Sequence, residues 1–201
     1  MLIANNLSFI KDNKKIFSDL GFCLSLGSCL VLKGGNGSGK TSLLKILSGI
    51  VKPTSGEVLW GEEKIEDLGT DFTGDSEFLG HSNFLKRDLS VRENLEFHAS
   101  LNGSGLAVNA ALDFFGISNL ADKKVKNLSA GQQKKALLTK LLSCPSTIWF
   151  LDEPSINLDK DAKEKLHGLI TNRVKEGGLV IMATHDDMFC DLGPIFDLGD
   201  F

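Results

Sequence analysis

Eight residues, GGNGSGKT from Gly34 to Thr41, restrict this chain more than any other stretch. They match the pattern G-x-x-x-x-G-K-[ST], which carries meaning only where a strand enters the loop and a helix leaves it. Both flanks comply. SCLVLK is a short apolar run that ends at the glycines. In KTSLLKILSGIV, residues Leu43, Leu44, Ile46, Leu47, Ile50 and Val51 recur at helical spacing, and Pro53 is expected to stop the helix. Glycines let successive backbone N–H groups face one concavity, and the helix adds its positive N-terminus, so phosphate oxygens meet no side-chain clash. The candidate phosphate-binding residues are therefore Gly34, Gly35, Asn36, Gly37, Ser38, Gly39, Lys40, Thr41 and Ser42. Lys40 can reach the β and γ phosphates, and the Thr41 hydroxyl can ligate Mg²⁺.

TIWFLDEP offers a complementary half-site. Ligands of open α/β sheets bind beyond the carboxyl ends of the strands, so a carboxylate ending a buried apolar strand is expected beside the loop after a neighbouring parallel strand. Asp152 is then placed to hold Mg²⁺ through a water, and Glu153 to orient and polarise an attacking water. A second apolar run, GGLVIMATHD, follows the helical pattern KDAKEKLHGLITNRV; strand, helix, strand implies a parallel sheet. Earlier segments, LIANNLSFI, FCLSL and EVLWG, read as antiparallel strands, whereas residues 84–144 show mainly amphipathic helical patterns.

LSAGQ, Leu128 to Gln132, opens one of those helices. Ser129 is a candidate N-cap; alternatively its hydroxyl and the Gly131 N–H form a second anion site at a helix N-terminus. A lone phosphate loop needs no such element between its lysine and its acidic strand.

Composition limits the remaining possibilities. A chain of 201 residues, 42% hydrophobic, can bury a core as one unit with an inserted subdomain. A net charge of -4 lacks the positive excess that neutralises nucleic-acid phosphates, so no nucleic acid is expected as partner. The four cysteines form no C-x-x-C pair and read as buried small hydrophobes. No signal-peptide core or run of ~18 apolar residues is present, so any membrane would be spanned by another chain. The cluster Lys123, Lys124, Lys126, Lys134 and Lys135 reads as a solvated face.

Taken in order, GGNGSGKT, LSAGQQ, FLDEPSINLD and ATHD resemble the phosphate loop, signature, acidic strand, D-loop and switch histidine of the ATP-binding cassette family. The resemblance covers nearly the whole chain. It implies an α/β fold: a P-loop nucleoside triphosphatase core with an antiparallel β subdomain and a helical subdomain inserted over about 84–144, all within a single nucleotide-binding domain spanning 1–201. It further implies ATP and Mg²⁺ as ligands and a head-to-tail homodimer in which each ATP lies between the phosphate loop of one copy and the signature of the other. Asp159 would make the D-loop contact across that interface, and His185 would meet the γ-phosphate and the water.

Two departures from the family pattern stand out. Where members carry a glutamine near the metal, counting back from Ser90 lands on His81, which still offers a hydrogen bond but can protonate near neutral pH. Where they stack an aromatic residue on adenine, the register gives Lys11, with Phe9 and Phe17 the nearby rings.

Within the family, FSDLGFCL, LGH, LSVRENLEFHASLNG and LSAGQQKK resemble the ATPase subunits of haem exporters in cytochrome c maturation. That resemblance implies multi-pass transmembrane exporter subunits as partners and a peripheral place on the cytoplasmic face of the inner membrane. An exporter cassette for a drug, lipid or peptide is the competing expectation. Only 88 positions separate Lys40 from Leu128, with no heptad tract, which excludes the long arms of a chromosome-maintenance cassette.

Overall fold

The structure is a computed structural model that describes residues 1–80, 85–101, 108–143 and 146–200. The expectation at His81 lies outside the described residues. Alternating apolar residues form the hairpin β1 (Leu2–Lys11) and β2 (Lys14–Leu24), which turns at Asp12 and Asn13. Both residues have positive φ, 49° and 61°, as a two-residue turn of the I′ kind demands. β3 (Ser28–Lys33) runs into the glycine loop and α1 (Lys40–Leu47) leaves it. β4 (Ser55–Trp60), β5 (Glu63–Lys64) and the short helices α2 (Ile65–Leu68) and α3 (Thr70–Gly74) follow. β4 and β5 join the hairpin in an antiparallel sheet of order β2-β1-β4-β5.

α1 is shorter than its apolar period predicted. Gly49, at φ 76°, ends it before Pro53 is reached, and the Ile50 and Val51 amides both turn back to the Lys45 carbonyl at 2.9 and 3.1 Å. Ile50 consequently points to solvent, 56% exposed.

The rest of the chain comprises β6 (Ser76–Leu79), α4 (Val91–Leu101), α5 (Val108–Phe114), α6 (Ala130–Leu138), β7 (Ile148–Asp152), α7 (Lys160–Lys175), β8 (Leu179–Ala183) and β9 (Ile195–Asp197). Five of the strands form a parallel sheet of order β6-β7-β8-β3-β9. This order corrects the expected neighbourhood: β7 does not adjoin β3, because β8 lies between them. β6 and β9 were not anticipated; at four and three residues they are too short to show a period.

Both faces of the parallel sheet are covered, which is why its strands read as continuous apolar runs. Leu30, Leu32, Phe150 and Ile181 point toward α1 and the antiparallel sheet. The alternate residues Val31, Trp149, Leu151, Val180 and Met182 share a core with α7 and the helices between β6 and β7.

β6 is tied to those helices by charge. The Glu77 carboxylate lies 3.2 Å from the Lys140 Nζ and 3.4 Å from the His98 Nε2, all three side chains nearly buried. Burial alone would raise the Glu77 carboxyl, but the His98 hydrogen bond and the Lys140 charge overcome it and hold the group below its ordinary 4.5. A carboxylate depressed in the fold contributes stability in full above its unfolded value and loses it as pH falls through the lower, folded value. Glu77→Gln is therefore expected to destabilise by about 2 kcal/mol at neutral pH. In urea melts across a pH series, the gap from wild type should hold down to about pH 4.5 and close below it. A gap unchanged at pH 3 would show that charge is not its origin.

Candidate nucleotide site

Strands β7, β8 and β3 lie side by side, and their carboxyl ends are level: Asp152 registers with Ala183, and Ala183 with Leu32. Each end delivers one part of a site. β3 leads into Gly34–Gly39, β7 ends on Asp152 and Glu153, and β8 is followed by Thr184 and His185.

The loop conformation depends on its glycines. Gly34, Gly37 and Gly39 have φ of 134°, 82° and 103°. A Cβ on Gly34 would lie 2.6 Å from the Ser38 Oγ, and one on Gly39 would overlap Ile16. Gly39 caps α1 without a side chain, so the positive end of the helix stays open toward the loop. The Ser38 hydroxyl is buried and unpartnered, a polar group that a phosphate oxygen would satisfy.

Lys40 bridges the first and last of the three strand ends. Its Nζ donates to the carbonyls of Gly34 (2.7 Å) and Gly35 (3.1 Å) and lies 3.1 Å from the His185 Nε2. An ammonium can only donate, so this Nε2 accepts and the imidazole carries its proton on Nδ1. The Glu153 Oε1, 3.6 Å from the same nitrogen, is beyond hydrogen-bond reach. The Thr41 Oγ1 sits 3.1 and 3.0 Å from the two carboxylate oxygens of Asp152, which is 2% exposed. Its single proton serves one of them at a time.

Glu153 adopts φ 47°, costing about 1 kcal/mol for a residue with a Cβ, and its amide donates to the Ala183 carbonyl at 2.9 Å. That hydrogen bond fixes the turn that directs the carboxylate to the cleft.

Asn36, Gly37, Ser38, Gly39, Lys40, Thr41, Ser42, Asp152, Glu153 and His185 together line one cleft of about 450 Å³. Gly34 and Gly35 line the depression behind His185 and enter the site through their carbonyls. Sequence reasoning did not place Ile16 and Ile156 here, but both line the cleft, as does Lys11. Lys11 is where the register count put it, and neither nearby ring reaches the cleft: Phe17 is 1% exposed beneath Gly39, and Phe9 packs on it at 6.1 Å.

Ser129, Gly131 and Asp159 lie elsewhere, in a second cleft of about 380 Å³ that shares no lining residue with the first. Ser129 caps α6 in a reciprocal box with Gln132: its Oγ accepts from the Gln132 amide at 3.3 Å, and the Gln132 Oε1 accepts from the Ser129 amide at 3.0 Å. The cap uses an oxygen lone pair, so the hydroxyl proton remains free to donate outward. Asp159 is occupied within its own chain, pairing with the Lys135 Nζ at 2.6 Å and accepting from the Ala162 amide at 2.9 Å, contacts that hold its carboxyl below the usual range. One segment borders both clefts, Ile156 lining the first and Asn157 the second.

One lysine departs from the expected solvated face. Lys134 is 6% exposed, and burial pushes its ammonium down to about 8 against the upward pull of Asp152 and Glu153.

Known proteins share this arrangement. The chain matches the ABC transporter family over residues 17–156. It is 41% identical over 190 residues to the cytochrome c biogenesis ATP-binding export protein CcmA of Paramagnetospirillum magneticum, across 92% of this chain and 88% of that protein. The protein of the same name from Vibrio vulnificus is 38% identical over 194 residues, 95% of each chain. Among solved structures, a putative ABC transporter ATP-binding protein from Pyrococcus furiosus superposes with TM-score 0.83 at 29% identity, over 100% of this chain and 98% of that one. A dimeric, post-hydrolysis ATP-binding cassette bound to ADP and Pi superposes with TM-score 0.86 over 99% and 95%, its 24% identity showing the fold alone. The family match runs from β2 past the acidic end of β7 and the relatives align almost end to end, so this chain belongs to the ABC transporter family.

Proposed function

We propose that the chain is the ATP-binding and ATP-hydrolysing subunit of an exporter serving cytochrome c biogenesis, with haem as the cargo. The observation that carries the hydrolytic reading is the convergence of Lys40, Thr41, Asp152, Glu153 and His185 on one cleft. The biogenesis reading is supported by the relatives of that name, 35–41% identical over nearly the full chain.

Thr41 and Asp152 present adjacent hard oxygen donors that fit Mg²⁺, and they would hold it, Asp152 through a water. When bound, it neutralises charge on the β and γ phosphates. Lys40 exchanges its contacts to Gly34, Gly35 and His185 for phosphate oxygens. That exchange frees the His185 Nε2, which with a proton on that nitrogen can donate to the γ-phosphate and stand beside the attacking water. Glu153, 13% exposed at its side chain, orients and polarises the water and accepts its proton.

The separation of the two clefts supports reading each chain as two half-sites. Ser129, exposed, and the Gly131 N–H complete the charge-stabilising shell around a nucleotide held by a second, head-to-tail copy. Chemistry then waits on assembly. Among the described residues no helix is long and apolar enough to cross a membrane. In this reading, multi-pass partner subunits span the membrane, and the chain sits peripherally on its cytoplasmic face as a single nucleotide-binding domain with its helical subdomain docked against them.

Purification of the chain with its membrane subunits, followed by absorption spectroscopy and an ATPase assay, tests the cargo. Haem retained by the complex and stimulating hydrolysis is the expected outcome. A complex that hydrolyses ATP faster with another cargo and is indifferent to haem would remove haem export while leaving the ATPase intact.

A further inference from the structure

α7 carries a polar stripe along one face. Asp159 is its N-cap, and Lys163 and His167 follow at intervals of four residues, so the three lie one above another. The Lys163 amide donates to the Asp159 carbonyl at 3.0 Å, which fixes the lysine just beyond the segment that begins at Glu153. Both Lys163 and His167 reach across to the chain that follows β8. The Lys163 Nζ lies 2.7 Å from the Asp186 Oδ2, an oxygen shut off from water, where a carboxylate charge is costly without a counter-ion. One turn further on, the His167 Nε2 lies 2.9 Å from the Asp191 Oδ1.

His185 stands immediately before the first of these pairs. Thr184, on its other side, is fully buried, and its Oγ1 accepts from the Asp186 amide at 3.0 Å, closing a tight turn around the histidine. The His185 side chain itself is 51% exposed, so packing alone does not fix the ring. The far end of the segment is held separately, by the fully buried Phe189 and by the His167–Asp191 pair.

We infer that Lys163 is a positioning residue for hydrolysis: its ion pair with Asp186 anchors to α7 the turn that aims His185 into the cleft, beside Glu153. This rests on the reading of His185 as the group that meets the γ-phosphate. Lys163 does not line the cleft, so it acts on the orientation of a group next to the reacting phosphate and not on nucleotide affinity. The same helix begins at Asp159, which is paired with Lys135 of α6, so His185 and the Ser129 half-site are tied to one turn of α7.

ATP hydrolysis by the chain purified with its membrane subunits tests the role. Lys163→Met removes the charge at similar length, and Lys163→Arg restores it. Asp186→Asn breaks the pair from the other side and keeps an oxygen for the Met188 amide. The Met and Asn variants are each expected to lose about tenfold in kcat with KM for ATP within about twofold of wild type, and the Arg variant to keep kcat within about twofold. In a His185→Ala background, Lys163→Met should cost nothing further, because the group it places is gone. A second loss of about tenfold in that background, or a Lys163→Met variant with wild-type kcat, would overturn the proposal. His185→Ala alone separates the two readings. Wild-type hydrolysis in that variant removes His185 from the mechanism and the positioning role with it, whereas slow hydrolysis beside an unaffected Lys163→Met variant rejects the positioning role alone.

Discussion

Glu153→Gln should bind ATP with near wild-type affinity and hydrolyse it about 10²–10³-fold more slowly. The substitution keeps the size of the side chain and its place at φ 47° after β7, and the backbone bond from its amide to Ala183 is untouched. What disappears is a carboxylate able to accept a proton from water. Binding is expected to persist because, in the proposed site, the loop amides and Lys40 hold the phosphates and Thr41 and Asp152 hold the metal, none of which involves residue 153. If two copies close around two nucleotides and part only after hydrolysis, this variant accumulates as a closed dimer in ATP. Size-exclusion chromatography with ATP, against ADP as control, should show the earlier-eluting species. Turnover near wild type would remove Glu153 from the mechanism, and slow turnover without a dimer would separate hydrolysis from assembly.

Lys40→Ala is expected to abolish micromolar nucleotide binding. Charge-assisted hydrogen bonds from a largely buried ammonium to phosphate are worth about 3 kcal/mol, or about a hundredfold in Kd. Two further effects add to this. The Lys40 Nζ also holds the Gly34 and Gly35 carbonyls and the His185 ring, so its removal releases the entrance to the loop and His185. Fluorescent-nucleotide titration measures the loss, and circular dichroism checks that the fold survives. Unchanged affinity would take the phosphate loop out of the account, whatever the family resemblance.

The phosphate loop was legible because its behaviour is local. Positive φ at Gly34, Gly37 and Gly39 is written in residue type, and the apolar run of β3 followed by the helical period of α1 is contiguous in the chain. The capping box at Ser129 was half-visible for the same reason, its partner Gln132 lying three residues away. The early end of α1 was missed because Gly49 and Pro53 both signal a stop, and only the folded backbone shows that the glycine acts first.

At the adenine side the register count gave Lys11 rather than a ring, and Lys11 does face the cleft with Ile16, because Phe17 goes to the core under Gly39 and Phe9 packs on it. Lys134 was not legible. Within a basic run, nothing in its neighbours distinguishes it from the exposed Lys123, Lys124 and Lys126.

The sequence by itself therefore determined the glycine loop between β3 and α1, the acidic end of β7 and the parallel strands, each specified by short-range pattern, and the order of its motifs pointed to the family. Only the tertiary structure decided that β8 separates β7 from β3, which brings His185 to Lys40 across 145 positions. It alone set the Ser129–Gly131 segment apart from the glycine loop on the same chain, and turned Lys134 inward. Strand order and the depth of a side chain depend on which surfaces pack together, and packing is a property of contacts between distant segments. No window along the chain contains it.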